Sequence, residues 1–295
     1  WCYKTQIPKV QIYGDISNCS SSVPAYVRIK YISTDEEKYG ASFDLESANS
    51  PIYLQGTSSL GYARKNYRFI LIDNNGQEYF HEMFPGNALP ESTYTAKCDY
   101  VDSSMACNVS LCKIANDTLY GPNFTDAQRD NPRRRTATYG HAIELVNVVD
   151  NKEISLGAYT LIIDRYAEES MGYKQSEYPN ILVLEGESNS DIGASAFYAW
   201  SESHPLRPQF PQEVSYYNEG FRVVYPPTNE AAYDFADIRE LVKFIDESSD
   251  DDFKDTFESY FSKESVIKYY LFCLCFASVD TLSKNLHLVR YNDLW

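Results

Sequence analysis

Apolar and polar residues alternate along much of the first 165 positions and then recur at helical spacing in the last quarter of the chain. Within residues 8–33, VQIYG and AYVRIKYI predict two strands separated by a Ser-rich turn. The stretch IYLQGTSSLGYARKNYRFILIDNNGQEYF, residues 52–80, reads as strand, Gly/Ser loop, strand and a hairpin turn at Asn75-Gly76. TYTAKCDYV at 93–101 predicts a further strand, and MACNVSLCKIANDTLYG at 105–121 predicts a helix that stops at Gly121. Residues 122–140 are polar and read as a loop. HAIELVNVV (141–149) and LGAYTLIIDR (156–165) predict an antiparallel pair joined by the turn DNKE, with one more strand in NILVLEGES at 180–188.

The periodicity then changes. In DFADIRELVKFIDE, residues 234–247, Phe235, Ile238, Leu241, Val242 and Ile245 fall on one helical face. SKESVIKYYLFCLCFASVD, residues 262–280, predicts a second helix with Ser262 as N-cap. It is apolar nearly all round after Lys268 and is expected to be buried. The expected fold class is α+β, with a β-rich N-terminal part and a helical C-terminal part, the organisation of a bilobal enzyme. No internal repeat and no low-complexity tract interrupts it.

Composition narrows the function. A length of 295 residues allows one large domain or two modest ones, each with a real core. With 43% hydrophobic and 23% charged residues the chain is expected to be a soluble globular protein rather than a disordered one. A net charge of −16 argues against non-specific nucleic-acid binding and against adsorption to anionic membranes. No run of 18 apolar residues predicts membrane insertion. The acidic stretch DESSDDDFKDTFE at 246–258 reads as a solvated loop and helix start. The 26 Tyr and 15 Phe favour sheet structure and large contact surfaces. Of the seven Cys, Cys2 and Cys19 flank a strand-like segment and could pair, whereas Cys273 and Cys275 read as buried thiols. With no C-x-x-C and four isolated His, a structural zinc site is not expected. N-x-S/T sequons stand at Asn18, Asn108, Asn116 and Asn123. The chain opens on Trp1 and reads as a mature fragment or a piece of a longer polypeptide.

Three motifs carry candidate chemistry. Gln55-Gly56-Thr57-Ser58-Ser59 followed by Lys65-Asn66-Tyr67-Arg68 is a glycine- and hydroxyl-rich turn between strands, able to offer backbone N–H groups and a lysine to phosphates. Lys97-Cys98-Asp99-Tyr100-Val101-Asp102-Ser103-Ser104, with Asn108 beyond, gathers polar groups between a strand and a helix, where helix capping is the plainer explanation. VDTLSKNLHLV at 279–289 sets Asp280 and Asn285 five positions apart, the spacing of a kinase catalytic loop, although short polar residues also end helices.

Taken together and in order, these blocks resemble the CotH kinase family of spore-coat-type atypical kinases. IYLQGTSSLGYARKNYRF is similar to its strand–turn–strand signature, KCDYVDSSMACNVSLCKIAND to its next block, LGAYTLIIDRYAEESMGY to its G-x-Y block and FSKESVIKYYLFCLCFASVDTLSKNLHLV to its catalytic-loop block. The QGTSS form is similar to that of CotH-like proteins of bacteriophages and prophages. The resemblance implies a distant protein-kinase-like fold over residues 51–295, preceded by a β-rich accessory segment at 1–50. It implies ATP and Mg²⁺ as cofactors, Asp280 as the catalytic Asp and Asn285 as a metal ligand. Lys65 would meet the nucleotide phosphates, with Ser58 and Ser59 in the phosphate turn. Asp102 and Asn108 would line the site. The family places a Glu six residues after the Gly of its G-x-Y block, where this chain has Ile163 followed by Asp164. It also places a metal-binding D-x-D segment after a Trp downstream of the Asn. This chain ends at Trp295, so the domain is expected to be cut short and to be a poor kinase as it stands.

Two function classes are carried forward. One is an atypical Ser/Thr protein kinase. The other is a structural or assembly module of a virion, spore coat or cell surface, with other coat or surface proteins, or further copies of the chain, as partners. An adhesion or carbohydrate-binding module without catalysis is the alternative to both. Localisation is expected to be virion-associated or extracellular, at the cell surface.

Overall fold

The strict alternation of VQIYG and AYVRIKYI produces β1 (Lys9–Tyr13) and β2 (Ala25–Ile32), paired antiparallel with Ile12 opposite Ile29. The structure is a computed structural model and describes residues 6–56, 58–104, 106–119, 138–164, 173, 175–176, 179–186, 221–225, 236–276, 286–291 and 293–295. After a one-turn helix α1 (Glu36–Tyr39), capped by the Asp35 carboxylate, the chain continues into β3 (Phe43–Gln55). A 3₁₀ turn at Ser58–Gly61 leads to β4 (Asn66–Ile70), and β5 (Thr93–Lys97) comes after it. Next come α2 (Cys107–Ile114), a π-helical turn (Ala115–Leu119), β6 (Gly140–Val149) and β7 (Lys152–Ile163). The strands close into a barrel in the order β1-β2-β3-β4-β5-β7-β6, with β1 parallel to β6. This closure removes the sheet edges, which would otherwise offer unpaired backbone groups.

Turn chemistry explains where the strands end. Asp150 and Asn151 both take positive φ (50° and 60°), so the β6–β7 hairpin turns on these two residues and β7 begins at Lys152, inside the expected DNKE turn. At the Asn75-Gly76 turn, Gly76 has φ 80° and the Asp73 carboxylate accepts from the backbone N–H of Asn75 and Gln77. Gly40 (φ +77°) lies so close to the next segment that a Cβ there would stand 1.9 Å from the Glu82 carbonyl oxygen. Only glycine fits at this crossing.

Inward-facing residues of all seven strands form one core that includes Val10, Ile12, Ile29, Ile52, Phe69, Tyr94, Leu145 and Leu161. The expected division of the chain after residue 50 falls within β3, which pairs with β2 through Ser50, Pro51 and Ile52. Residues on both sides of that point therefore share a barrel. The chain separates instead into units Trp1–Gly172 and Tyr173–Trp295.

His141 sits in the barrel core, its ring against Tyr39 and Phe84 (centroids 4.8 and 5.1 Å), with Nε2 3.3 Å from the Met83 carbonyl oxygen. Burial, above all other causes, pushes its pKa down from 6.5 to about 4. The neutral imidazole is thus the form that fits. Its contribution to stability is complete above the unfolded pKa of 6.5 and is lost as pH falls through the folded value of about 4. The loss amounts to about 3 kcal/mol by the usual conversion of a pKa difference. Chemical unfolding of the chain at pH 7, 5.5 and 4 is expected to show this decline, and His141→Phe to flatten it. An unchanged slope in the variant would remove His141 as the acid trigger.

In the second unit, β8 (Leu182–Gly186), β9 (Phe221–Tyr225) and β10 (Leu286–Arg290) form an antiparallel sheet in the order β10-β8-β9. The helices are α3 (Ala236–Glu247), α4 (Asp250–Tyr260) and α5 (Lys263–Cys275). Leu182, Leu184 and Val223 of the sheet pack with Leu241, Phe244 and Phe261. The acidic 246–258 stretch does start a helix: Ser249 caps α4, and Asp250, Asp251 and Asp252 occupy its first turn, where carboxylates complement the helix dipole. Glu185 is fully buried on β8, opposite His287 of β10, whose Nε2 lies 3.9 Å from its carboxylate.

Helix α5 departs from expectation. Cys273 is buried, but Ile267, Tyr270, Leu271 and Leu274 are each about half exposed. A helix that is apolar all round has no polar face to turn outward, so whichever stripe packs, the remainder meets solvent. Ser262 precedes α5 as expected, yet its side chain makes no cap hydrogen bond; its backbone N–H donates to the Trp295 carbonyl at 3.0 Å. Cys19 is a buried free thiol, while Cys2 lies outside the described residues. Cys275 is exposed, contrary to the buried thiol expected there. Among the described residues no helix is long and apolar enough to cross a membrane.

Candidate functional site

Strand register assembles the site. Gln55 of β3 pairs with Asn66 of β4, and Lys97 of β5 pairs with Thr160 of β7. Because Tyr67 opposes Ala96, Asn66 stands opposite Lys97. Gln55, Asn66, Lys97 and Thr160 therefore form one row across four adjacent strands. Their neighbours Tyr67, Ala96 and Leu161 point into the core, so by the two-residue period the row belongs to the outer face of the barrel.

Two loops meet this row at its end. The first is the Gly-Ser turn after β3. Gly56 has φ +119°, and a Cβ on it would stand 1.9 Å from Ser59 Oγ, so the glycine is what lets the serine fold back against the backbone. Ser59 Oγ accepts from Asn66 Nδ2 at 3.4 Å, and Asn66 Oδ1 accepts from the Cys98 N–H at 2.9 Å. Ser58 opens the 3₁₀ turn. Lys65 Nζ donates to the carbonyls of Leu60 (2.6 Å) and Tyr62 (2.5 Å) and ties that turn shut. Arg64 donates to the Ala158 carbonyl at 2.6 Å and lies over the Tyr159 ring.

The second loop comes after β5. The expected strand 93–101 ends at Lys97 because Asp99 adopts a left-handed φ of 46°, which an aspartate tolerates better than most residues. The Asp99 carboxylate accepts from Asn108 Nδ2 on one oxygen and from Thr160 Oγ1 (3.1 Å) on the other, joining the start of α2 to the row. The Asp102 carboxylate accepts from the Ser104 hydroxyl and N–H and from the N–H groups of Ala106 and Cys107. These bonds, the Ser104 ones first, lower its pKa and make it the cap of α2. Tyr62 and Tyr100, one from each loop, stack at 5.1 Å between centroids.

Five of the residues singled out by sequence thus fall on these two neighbouring segments, with Ser58, Ser59 and Lys65 on the first, Asp102 on the second and Asn108 in the first turn of α2 that follows it. Asp280 and Asn285 fall outside the described residues. Sequence reasoning missed Gln55, Asn66, Lys97, Asp99 and Thr160 as a set. Gln55, Asn66, Lys97 and Asp99 sit inside the quoted motifs, but nothing in the order of residues says that they share a row; only strand pairing does. Asp164 is buried and paired with Arg68 of β4 at 2.5 Å.

Lys97, the glycine turn and the serine hydroxyls suit an anionic phosphate chain. A metal is not provided for in the same way: among the described residues no three His, Cys, Asp or Glu side chains stand together to hold one.

No curated protein matches the chain. The family model described as CotH kinase protein matches residues 52–295, which takes in the Gly-Ser turn, the Asp99–Asn108 loop, β7 and the second unit entire. With that match spanning most of its length and both loops of the site, the chain belongs to the CotH kinase protein family.

Proposed function

We propose that this chain is a CotH-type domain of a coat, virion or cell-surface protein that binds ATP with Mg²⁺ and transfers the terminal phosphoryl group to Ser or Thr hydroxyls of a protein. The observation that carries the reading is the joining of the two family loops across the polar row, through Asn66, Asp99 and Asn108. Phosphoryl transfer depends on positioning and charge neutralisation rather than on covalent help from the protein. A rigid polar face with Lys97 beside a glycine turn suits the phosphate chain, and Lys65 holds the turn in shape. Asp280 would orient the acceptor hydroxyl. Asn285 would be a ligand of the magnesium, which neutralises the phosphate charge.

Calorimetric titration of the chain with Mg·ATP, together with transfer of labelled phosphate to the chain itself or to a mixed Ser/Thr protein substrate, tests this. Saturable binding with Mg²⁺-dependent labelling is expected. Absence of both would leave the domain without its enzyme role.

A second reading is favoured by the apolar face of α5. Exposed Ile267, Tyr270, Leu271 and Leu274 would suit assembly with coat or surface proteins, or with further copies of the chain. Light scattering of the purified chain with and without Leu271→Glu separates the two roles. A concentration-dependent oligomer lost in the variant supports assembly; a monomer in both opposes self-assembly.

A further inference from the structure

The family resemblance gives the phosphate contact to Lys65, but the geometry gives it another task. Its ammonium donates to two carbonyls of its own turn, Leu60 and Tyr62, and both contacts are internal to the Ser58–Asn66 connection. Lys97 is placed differently. It projects from β5 on the outer face, yet its Nζ donates to Gln55 Oε1 on β3 at 2.5 Å. β4 lies between these strands, and neighbouring strands are about 4.8 Å apart. The side chain therefore reaches over Asn66, and its ammonium meets the side-chain amide of Gln55, the residue that precedes Gly56. The floor beneath it is fixed: Asn66 is held by Ser59 and by the Cys98 N–H.

We propose that Lys97, and not Lys65, is the residue that meets the phosphate chain of the bound nucleotide, on the outer face of the β3–β4–β5–β7 quadrant. The inference rests on the nucleotide-binding reading above and changes which residue does the binding. The phosphate replaces the Gln55 amide oxygen as acceptor, so that the ammonium exchanges a neutral oxygen for an anionic one and both partners of the bond carry charge. Gln55 is then the resting partner that holds the ammonium over the row, and Lys65 is the positioning residue that keeps the glycine turn closed.

The experiment is titration of the full chain with Mg·ATP and, separately, with inorganic tripolyphosphate, for wild type, Lys97→Ala, Lys97→Arg and Lys65→Ala. Lys97→Ala is expected to weaken both probes by about tenfold or more, equivalent to about 1.4 kcal/mol, with Lys97→Arg recovering part of the loss. Lys65→Ala is expected to lower the melting temperature yet to bind within about threefold of wild type while folded. The inference is overturned if Lys97→Ala binds both probes like wild type, or if folded Lys65→Ala loses them. Tripolyphosphate binding that depends on Lys97, without ATP binding, would keep the site and remove the nucleotide reading. Wild-type chain that takes neither probe would remove both.

Discussion

Asp280→Ala is expected to lower phosphoryl transfer by about 10²–10⁴-fold, the range that a positioned proton-accepting group contributes. Nucleotide affinity is expected to stay within about threefold of wild type, because an interaction made only in the transition state lowers kcat without weakening ground-state binding. The physical reason lies in the division of labour. The groups suited to the phosphate chain, Lys97 with the Gly56–Ser59 turn, belong to the barrel, whereas Asp280 is a candidate for orienting the attacking hydroxyl. Asn285, five positions on, would be a metal ligand and not a base. Its replacement by Ala is therefore expected to raise the Mg²⁺ concentration needed for half-maximal transfer. Initial rates over a series of ATP and Mg²⁺ concentrations separate these effects. Equal rates for wild type and Asp280→Ala would make any observed labelling a contaminant's activity and leave assembly as the standing role.

Tyr94→Ala is expected to destabilise the barrel by about 3–5 kcal/mol, the usual loss when a large aromatic is removed from a packed core. Tyr94 is 1% exposed, stands near Phe69 and Phe84, and donates its hydroxyl to the His81 carbonyl at 2.6 Å. Truncation would open a cavity in the core and leave that carbonyl without this donor. Tyr94→Phe isolates the second effect and is expected to cost about 1 kcal/mol, the net value of one hydrogen bond. Urea unfolding followed by far-UV circular dichroism measures both. Since Tyr94 immediately precedes Thr95, Ala96 and Lys97 on β5, loss of this anchor is expected to weaken tripolyphosphate binding as well, in proportion to the unfolded fraction. Near-wild-type stability of Tyr94→Ala would show that the barrel can close without it.

What each strand does locally is written in its side-chain alternation. β1, β2 and β6 lie where the period-two pattern predicts them, while β7 starts four residues before its expected position because the turn closes on Asp150 and Asn151, both of which accept positive φ. The motif residues were legible for the same local reason: glycine is needed where Gly56 and Ser59 approach, and a short carboxylate such as Asp102 caps a helix from just before its start. The expectation for α5 failed because an all-apolar helix states that it resists water but not which stripe will be covered.

The sequence by itself determined the β-rich first part, the helices of the last quarter, membership of the CotH family and the loops that carry its motifs. It did so because periodicity, turn preference and short motifs are properties of neighbouring residues. Only the tertiary structure decided that the strands close into a barrel, that residues 43–55 form one strand through the expected boundary, and that Gln55, Asn66, Lys97 and Thr160 share a row. It also decided that Lys65 binds its own turn while Lys97 spans the sheet. These depend on strand register, which pairs residues tens of positions apart. A shift of one residue would move every side chain of a strand to the other face.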